Sequence, residues 1–241
     1  MRLDQLLVEK DHVKTRGQAR ALIEKGDVKV NDIVRTKVSF KVQDNDKLEV
    51  LSKMYVSRGA FKLIHALDEF SIDVNNLIAA DIGASTGGFT QILLERGCSK
   101  IFCIDVGHDQ LASELVENPK VINLEKTNAR EALPINEKVD IFVCDVSFIS
   151  LKLIFKNISD ILKPNGVGIA LIKPQFEAGR ERIQKNGLVS DKVREEVLAE
   201  MLDWFNENNF KILNIIESPI KGNKSKNTEY LALYSKEQKS S

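Results

Sequence analysis

Apolar and polar positions follow two regimes along this chain. In residues 1–50, Leu3, Leu6 and Leu7 share one helical face, and Ala19, Leu22 and Ile23 repeat at helical spacing. Thr15 and Gln18 carry the signature of a capping box opening the second helix, and Gly26 marks its end. Val28-Lys29-Val30 then alternates as a strand, Asn31-Asp32 turns, and Leu48-Glu49-Val50 returns after the turn Asp44-Asn45-Asp46. The predicted order is helix, helix, short strands. Residues 51–57 join this unit to the remainder of the chain. Ser57 is placed to cap a helix running to Phe70, with Phe61, Ile64, Leu67 and Phe70 buried.

From Leu77 onward strands and helices alternate. The pattern predicts strands at 77–82, 101–105, 120–124, 139–145, 166–172, 211–217 and 228–235, and helices at 88–96, 109–117, 150–162 and 191–207. Ser150 opens one helix, and Pro164-Asn165-Gly166 follows its end. In the last helix Val193, Val197, Leu198, Met201, Leu202 and Phe205 form an apolar face. Such alternation argues for a doubly wound, mostly parallel sheet. Only the short polar link Pro219–Asn227 joins the last two strands, so they should pair antiparallel. Seven strands with that ending match the class I methyltransferase sheet better than the NAD-binding Rossmann sheet.

Composition refines this picture modestly. The 241 residues, 43% of them hydrophobic, suffice for one large domain plus a small one. Lys+Arg and Asp+Glu are both 35, which excludes a globally basic protein. Residues 1–60 nevertheless hold 13 basic against 9 acidic side chains, as a nucleic-acid-binding arm would. Cys98, Cys103 and Cys144 lack metal-ligand spacing and read as buried structural thiols of a reducing cytosol; no metal site is expected. No signal peptide is visible, and no apolar run approaches the ~20 residues of a membrane span. A cytoplasmic protein is expected.

Candidate chemistry concentrates at strand ends. Asp81-Ile-Gly-Ala-Ser-Thr-Gly-Gly-Phe89 follows the apolar run 77–80, so a buried strand ends in an acid, a small-residue loop and a helix. This arrangement offers backbone N–H groups to a ligand. Gly83, Gly87 and Gly88 permit positive φ and close approach, with Ala84, Ser85 and Phe89 completing the loop. Asp81 favours S-adenosylmethionine over a phosphate ligand, because a carboxylate attracts a methionyl ammonium and a sulfonium and repels phosphate. Asp105, closing the next strand, is placed for ribose hydroxyls, or to cap a helix at 106–117. Asn128 is placed for an adenine ring.

Lys62, Asp145, Lys173 and Glu229 form a second constellation. Asp145 and Lys173 end parallel strands and Glu229 begins an antiparallel one, so all three face one sheet edge. Methylating a ribose 2′-hydroxyl needs an alkoxide-like nucleophile. A lysine can act as base only when neutral, a state that burial and a nearby cation favour. Lys173 is the expected base, with Lys62 as the second cation and the carboxylates orienting both amines. Two structural salt bridges are the alternative reading.

Residues 1–50 resemble an S4 domain through Arg2-Leu3-Asp4, Arg16, Ala19, Leu22-Ile23, Gly26 and Val28-x-Val30-Asn31. That resemblance implies RNA-backbone contacts at Arg16, Arg20, Lys25 and Arg2. Over almost the full length the chain resembles the TlyA family, hemolysin-named proteins with an S4 domain and an FtsJ-like methyltransferase domain. The segments are Tyr55–Lys62, Asp81–Thr90, Asp105–Leu111, Asp145–Ser150, Leu171–Glu177 and Ser218–Gly222. The resemblance implies an S4-like domain at 1–50, a linker at 51–57, an α/β methyltransferase domain at 58–236 and a polar tail at 237–241. It also implies S-adenosylmethionine-dependent 2′-O-methylation of cytidine in ribosomal RNA, 23S with 16S left open, free or within ribosomal subunits. Lys62, Asp145, Lys173 and Glu229 match the family tetrad, Asp145 also borders the cofactor, and Arg58 is a further RNA contact. Two departures stand out: Arg58-Gly59-Ala60 where many members have Arg-Gly-Gly, and the basic loop Gly222–Asn227.

Competing activities fit less well. A methyltransferase for exocyclic amines would show an Asn/Asp-Pro-Pro-aromatic run where this chain has Asp145-Val-Ser-Phe148. A 5-methylcytosine enzyme needs a nucleophilic cysteine, yet Cys144 points away if Asp145 faces the site. A pore-forming hemolysin lacks a spanning segment, and the amphipathic stretch 191–207 carries many acids. A non-catalytic RNA-binding protein would not need Asp145 and Lys173.

Overall fold

The computed structural model describes all residues except 14, 44, 52–54, 223–225 and 237–241. Part of the predicted joining segment, Asp44 of the predicted turn, the centre of the 222–227 loop and the polar tail therefore lie outside the described residues. The chain divides into two compact units, Met1–Met54 and Tyr55–Ser241.

The first unit contains α1 (Leu3–Glu9), α2 (Arg16–Lys25), β1 (Val28–Val30), β2 (Ile33–Val34) and β3 (Leu48–Val50). The capping box forms as the sequence predicts: Thr15 Oγ1 accepts from Gln18 N, and Gln18 Oε1 accepts from Thr15 N. Gly26 ends α2 at φ 84, a conformation that costs residues with a β-carbon. Leu3, Leu6, Leu7, Ala19 and Ile23 pack against Val28 and Val30. The sheet order is β2-β1-β3, all antiparallel, and the sequence pattern had not revealed the two-residue β2.

The second unit runs α3 (Gly59–Glu69), β4 (Ile78–Ile82), α4 (Gly88–Glu95), β5 (Lys100–Ile104), α5 (Ser113–Val116), β6 (Val121–Leu124), β7 (Val139–Cys144), α6 (Phe155–Asp160), β8 (Leu162–Ile172), α7 (Pro174–Glu177), α8 (Asp191–Glu207), β9 (Lys211–Glu217) and β10 (Tyr230–Ser235). Its seven strands lie in the order β6-β5-β4-β7-β8-β10-β9. Strands β4 to β8 are parallel to one another, and β10 runs antiparallel to both β8 and β9. This is the α/β methyltransferase sheet with the antiparallel pairing at the end of the chain.

Strand alternation divides the core between the two sheet faces. Phe142, Cys144, Ala170, Ile172 and Ala232 pack on one side around Phe155 and Phe205. Ile141, Val143, Ile169, Leu171 and Leu231 pack on the other against Ala60, Leu63 and Leu67 of α3. Extended by two residues, the second set reaches Asp145, Lys173 and Glu229 on the α3 side of the sheet.

Several local expectations need correction. The buried face of α3 is Ala60, Lys62, Leu63, Ala66 and Leu67. Phe61 is exposed and packs edge-on against Tyr55 at 5.2 Å, while Ile64 and Phe70 are only half-buried. The apolar stripe is thus rotated by about one residue, which carries Lys62 inward. On α8, Leu202 is exposed, whereas Val197, Met201 and Phe205 are buried. The helix expected at 109–117 shrinks to α5, with Asp109 at φ 53. The one expected at 150–162 becomes a 3-10 turn at Leu151–Leu153 followed by α6. Pro164-Asn165-Gly166 lies inside β8, where the β7–β8 register shifts between Val139 and Ile141. That irregularity accommodates a proline in a paired strand.

Candidate active site

The carboxyl ends of β4, β7 and β8 open onto a cleft of about 800 Å³, within the range of small-molecule sites. Among the sequence-predicted residues, Lys62, Asp81, Gly83, Ala84, Ser85, Gly88, Phe89, Asp145, Lys173, Glu229 and Arg58 line it.

The four chemistry-bearing residues meet there. Lys62 Nζ donates to Glu229 Oε2 at 2.7 Å and to Asp145 Oδ2 at 3.2 Å. Lys173 Nζ forms an ion pair with Asp145 Oδ1 at 2.5 Å and donates to Ser147 Oγ at 2.9 Å. Gln175 Nε2 donates to the other Glu229 oxygen at 3.3 Å. Lys62, Lys173 and Glu229 are buried. Burial pushes the Asp145 carboxyl up, but Lys173 and Lys62 together outweigh it and hold the group below its ordinary value. Asp145 therefore stays ionised as the hinge of a chain of alternating charges.

Asp81 sits deeper, at the end of β4. Its Oδ2 accepts from Thr90 Oγ1 at 2.7 Å, while the buried Oδ1 has no hydrogen-bond partner. Burial pushes this carboxyl up to about 7, the Thr90 hydroxyl opposes, and Asp145 and Asp105 add to the rise. A buried, cleft-lining carboxylate oxygen without a donor lacks only a cationic or N–H ligand.

The glycine loop between β4 and α4 behaves largely as predicted. Gly83 and Gly87 take φ 82 and 95, and Ser85 shares the left-handed region at φ 49. Gly88 differs only in φ: it is the first residue of α4, not in the left-handed region, and it serves the expected close approach, since a β-carbon there would clash with Ser57 Oγ. A β-carbon on Gly83 would meet the Asp145 carbonyl oxygen at 2.9 Å. Gly83→Ala therefore combines left-handed strain with a backbone clash. It should destabilise the protein by about 2–4 kcal/mol in thermal or denaturant unfolding.

Asp105, Asn128 and Gly87 do not line the cleft. Asp105 Oδ2 accepts from Ser85 N and Oδ1 from Gly107 N, both at 2.8 Å, so it ties the glycine loop to the end of β5. It does not cap a helix at 106–117, because α5 begins only at Ser113. Asn128 is exposed, and its Oδ1 accepts from Arg130 N within a turn. Cys98, Cys103 and Cys144 are buried and free, and burial pushes the Cys98 and Cys144 thiols up to about 12. Such thiols are unsuited to nucleophilic chemistry. Among the described residues no cluster of His, Cys, Asp or Glu could hold a metal.

Sequence reasoning missed Ser147 and Gln175, which touch the tetrad, and Lys185 and Lys221 at the cleft rim. Ser147 and Gln175 each lie two residues beyond a tetrad member, and that spacing was the available signal.

In the first unit every proposed RNA contact is paired with an acid. Arg2 and Arg16 share Asp4, at 2.8 and 2.6 Å. Arg20 meets Glu24 and Lys25 meets Asp27, both at 2.8 Å. All four cations remain largely exposed. The Arg2 hydrogen bond holds the buried Asp4 carboxyl down at about 2 against its burial, with Arg16 adding to the pull.

Comparison with known proteins places this architecture. Residues 55–235 match the FtsJ-like methyltransferase model and residues 1–48 the S4 domain. The 16S/23S rRNA (cytidine-2′-O)-methyltransferase TlyA of Mycobacterium tuberculosis is 37% identical over 235 residues, covering 95% of this chain and 87% of that protein. The chain belongs to the TlyA family. Hemolysin A of Brachyspira hyodysenteriae is 39% identical over 241 residues, covering 96% of this chain and 98% of its own. A solved structure from Streptococcus thermophilus, described as a hemolysin, superposes with a TM-score of 0.74 at 36% identity, covering 99% of this chain and 89% of that one. An S-adenosylmethionine-dependent methyltransferase from Mesorhizobium loti shares the fold alone, with a TM-score of 0.53 at 14% identity over 71% of this chain and 96% of that one. Among the described residues no helix is long and apolar enough to cross a membrane.

Proposed function

We propose that this TlyA-family protein is a cytoplasmic S-adenosylmethionine-dependent 2′-O-methyltransferase acting on cytidine in ribosomal RNA, with Lys173 as general base. One observation carries the reading: Lys62, Asp145, Lys173 and Glu229 converge in a single cleft beside the unpartnered Asp81 oxygen.

The residues fit the cofactor. The Asp81 oxygen suits a methionyl ammonium, and the loop at Gly83 and Gly88 leaves space that a β-carbon would fill. S-adenosylmethionine, when bound, supplies an electrophilic methyl group on a sulfonium. Lys173 takes the proton of the ribose 2′-hydroxyl at Nζ. Lys62, held by two carboxylates, presents its Nζ to the developing alkoxide and stabilises it. Glu229, itself bonded by Gln175, holds Lys62 in place, and Asp145 spaces the two amines. The exposed Phe148 and the half-buried Phe176, with ring centroids 5.1 Å apart, border the cleft where a nucleoside would enter.

The relatives' names support ribosomal RNA as the substrate and leave the nucleotide to be found. Mapping 2′-O-methyl positions in 16S and 23S RNA from cells with and without the gene identifies it. Identical maps would sink the proposal.

The S4 unit supplies docking in this reading. Deleting residues 1–54 should leave cofactor affinity intact and abolish methylation of ribosomal substrate. RNA affinity of the full chain should fall as salt rises, because Arg2, Arg16, Arg20 and Lys25 would release counterions from phosphate. Undiminished activity of the truncated protein on ribosomal subunits would show that docking lies elsewhere.

A further inference from the structure

The two cleft lysines differ in what holds them. Lys62 Nζ faces two carboxylates, Glu229 and Asp145. Lys173 Nζ faces one carboxylate, Asp145, and one neutral acceptor, the Ser147 hydroxyl at 2.9 Å. Among the described residues Ser147 Oγ is the one hydrogen-bond partner of Lys173 Nζ, the Phe176 ring centroid lies 5.9 Å away, and the residue lines the cleft. A neutral amine has two N–H bonds and one lone pair. If one N–H serves the Asp145 ion pair and the other the Ser147 hydrogen bond, a single tetrahedral direction is left for the lone pair.

The backbone places Ser147 for this task. It lies just past the end of β7, and the next residue, Phe148, turns the chain at φ 64. A bulky residue occupies that left-handed region only at a cost, and such strain collects at functional sites. The turn keeps the Ser147 hydroxyl beside Lys173 at the cleft wall.

We propose that Ser147 is a positioning residue that aims the Lys173 lone pair at the substrate hydroxyl. This rests on the reading of Lys173 as general base. Without Ser147, rotation about the terminal C–N bond leaves several amine orientations consistent with the Asp145 ion pair, and only one of them is productive.

The test is a double-mutant cycle in the full chain, read by single-turnover methyl transfer, KM for RNA and cofactor affinity. Ser147→Ala should slow transfer about tenfold, less than the 10²–10⁴ expected for loss of a general base, with KM and cofactor affinity unchanged. Ser147→Thr keeps a hydroxyl and should restore most of the rate. In a Lys173→Ala background Ser147→Ala should cost nothing further, because it acts only through that amine. A wild-type rate for Ser147→Ala beside a crippled Lys173→Ala overturns the positioning role alone, as does an equal further loss in the Lys173→Ala background. An active Lys173→Ala enzyme overturns the general-base reading and this inference with it.

Discussion

Replacing Lys173 by alanine should leave the protein folded and able to bind cofactor while slowing the methyl transfer step by about 10²–10⁴-fold, the usual contribution of a general base. Folding should survive because Asp145 keeps Lys62 as a counter-ion at 3.2 Å, so no buried carboxylate is stranded. Lys173→Arg should not recover the rate. A guanidinium stays protonated and cannot accept the 2′-hydroxyl proton, although it keeps the charge and could still pair with Asp145. Rapid-quench single turnovers with tritiated cofactor separate the outcomes. An active Lys173→Arg enzyme would leave the four residues as a positioning device, in which alignment alone carries the rate.

The site was legible in sequence where strand geometry alone fixes position. Asp145 and Lys173 follow apolar runs that end at one sheet edge, and Glu229 opens a strand of opposite direction at the same edge. The β8–β10 register, which pairs Tyr230 with Ile172, bears out that placement. Loops were legible only in part. The position of Asp105 was correct, but its oxygens point at Ser85 N and Gly107 N, contacts that depend on how the following loop folds back. Asn128 lies in a turn beyond β6, outside the cleft, where its Oδ1 accepts from Arg130 N. Lys62 was named as the second cation of the constellation, whereas the helical periodicity put Phe61 on the buried side. Tertiary packing of α3 on the sheet decides that rotation, and a single amphipathic pattern does not encode it. The pairing of Arg2 and Arg16 through Asp4 was likewise invisible, because it joins two helices across the unit.

Affinity for S-adenosylmethionine should weaken as pH falls below about 7, by about tenfold per unit, because Asp81 must be ionised to accept the cofactor ammonium. The sign follows from burial. It holds the Asp81 carboxyl up at about 7 in the free protein, so at pH 6 most molecules must release a proton before they bind. Above 7 the carboxylate is already formed and affinity should level off. The same shift acts on stability. A carboxyl raised in the folded state contributes most below its ordinary value, and that contribution is lost as pH climbs to about 7. The free protein should therefore lose stability over the interval in which cofactor binding strengthens. Asp81→Asn tests both limbs. It keeps the size and can still bond Thr90, but carries no charge at any pH. Cofactor affinity should drop by about 3 kcal/mol, near the lower end for breaking a buried ion pair, and its pH dependence should flatten. Calorimetric titrations of wild type and Asp81→Asn between pH 5.5 and 8.5 measure both effects. A wild-type affinity that does not change across pH 7, or an Asp81→Asn protein that keeps the wild-type profile, would mean that the unpartnered oxygen is not the ammonium's ligand.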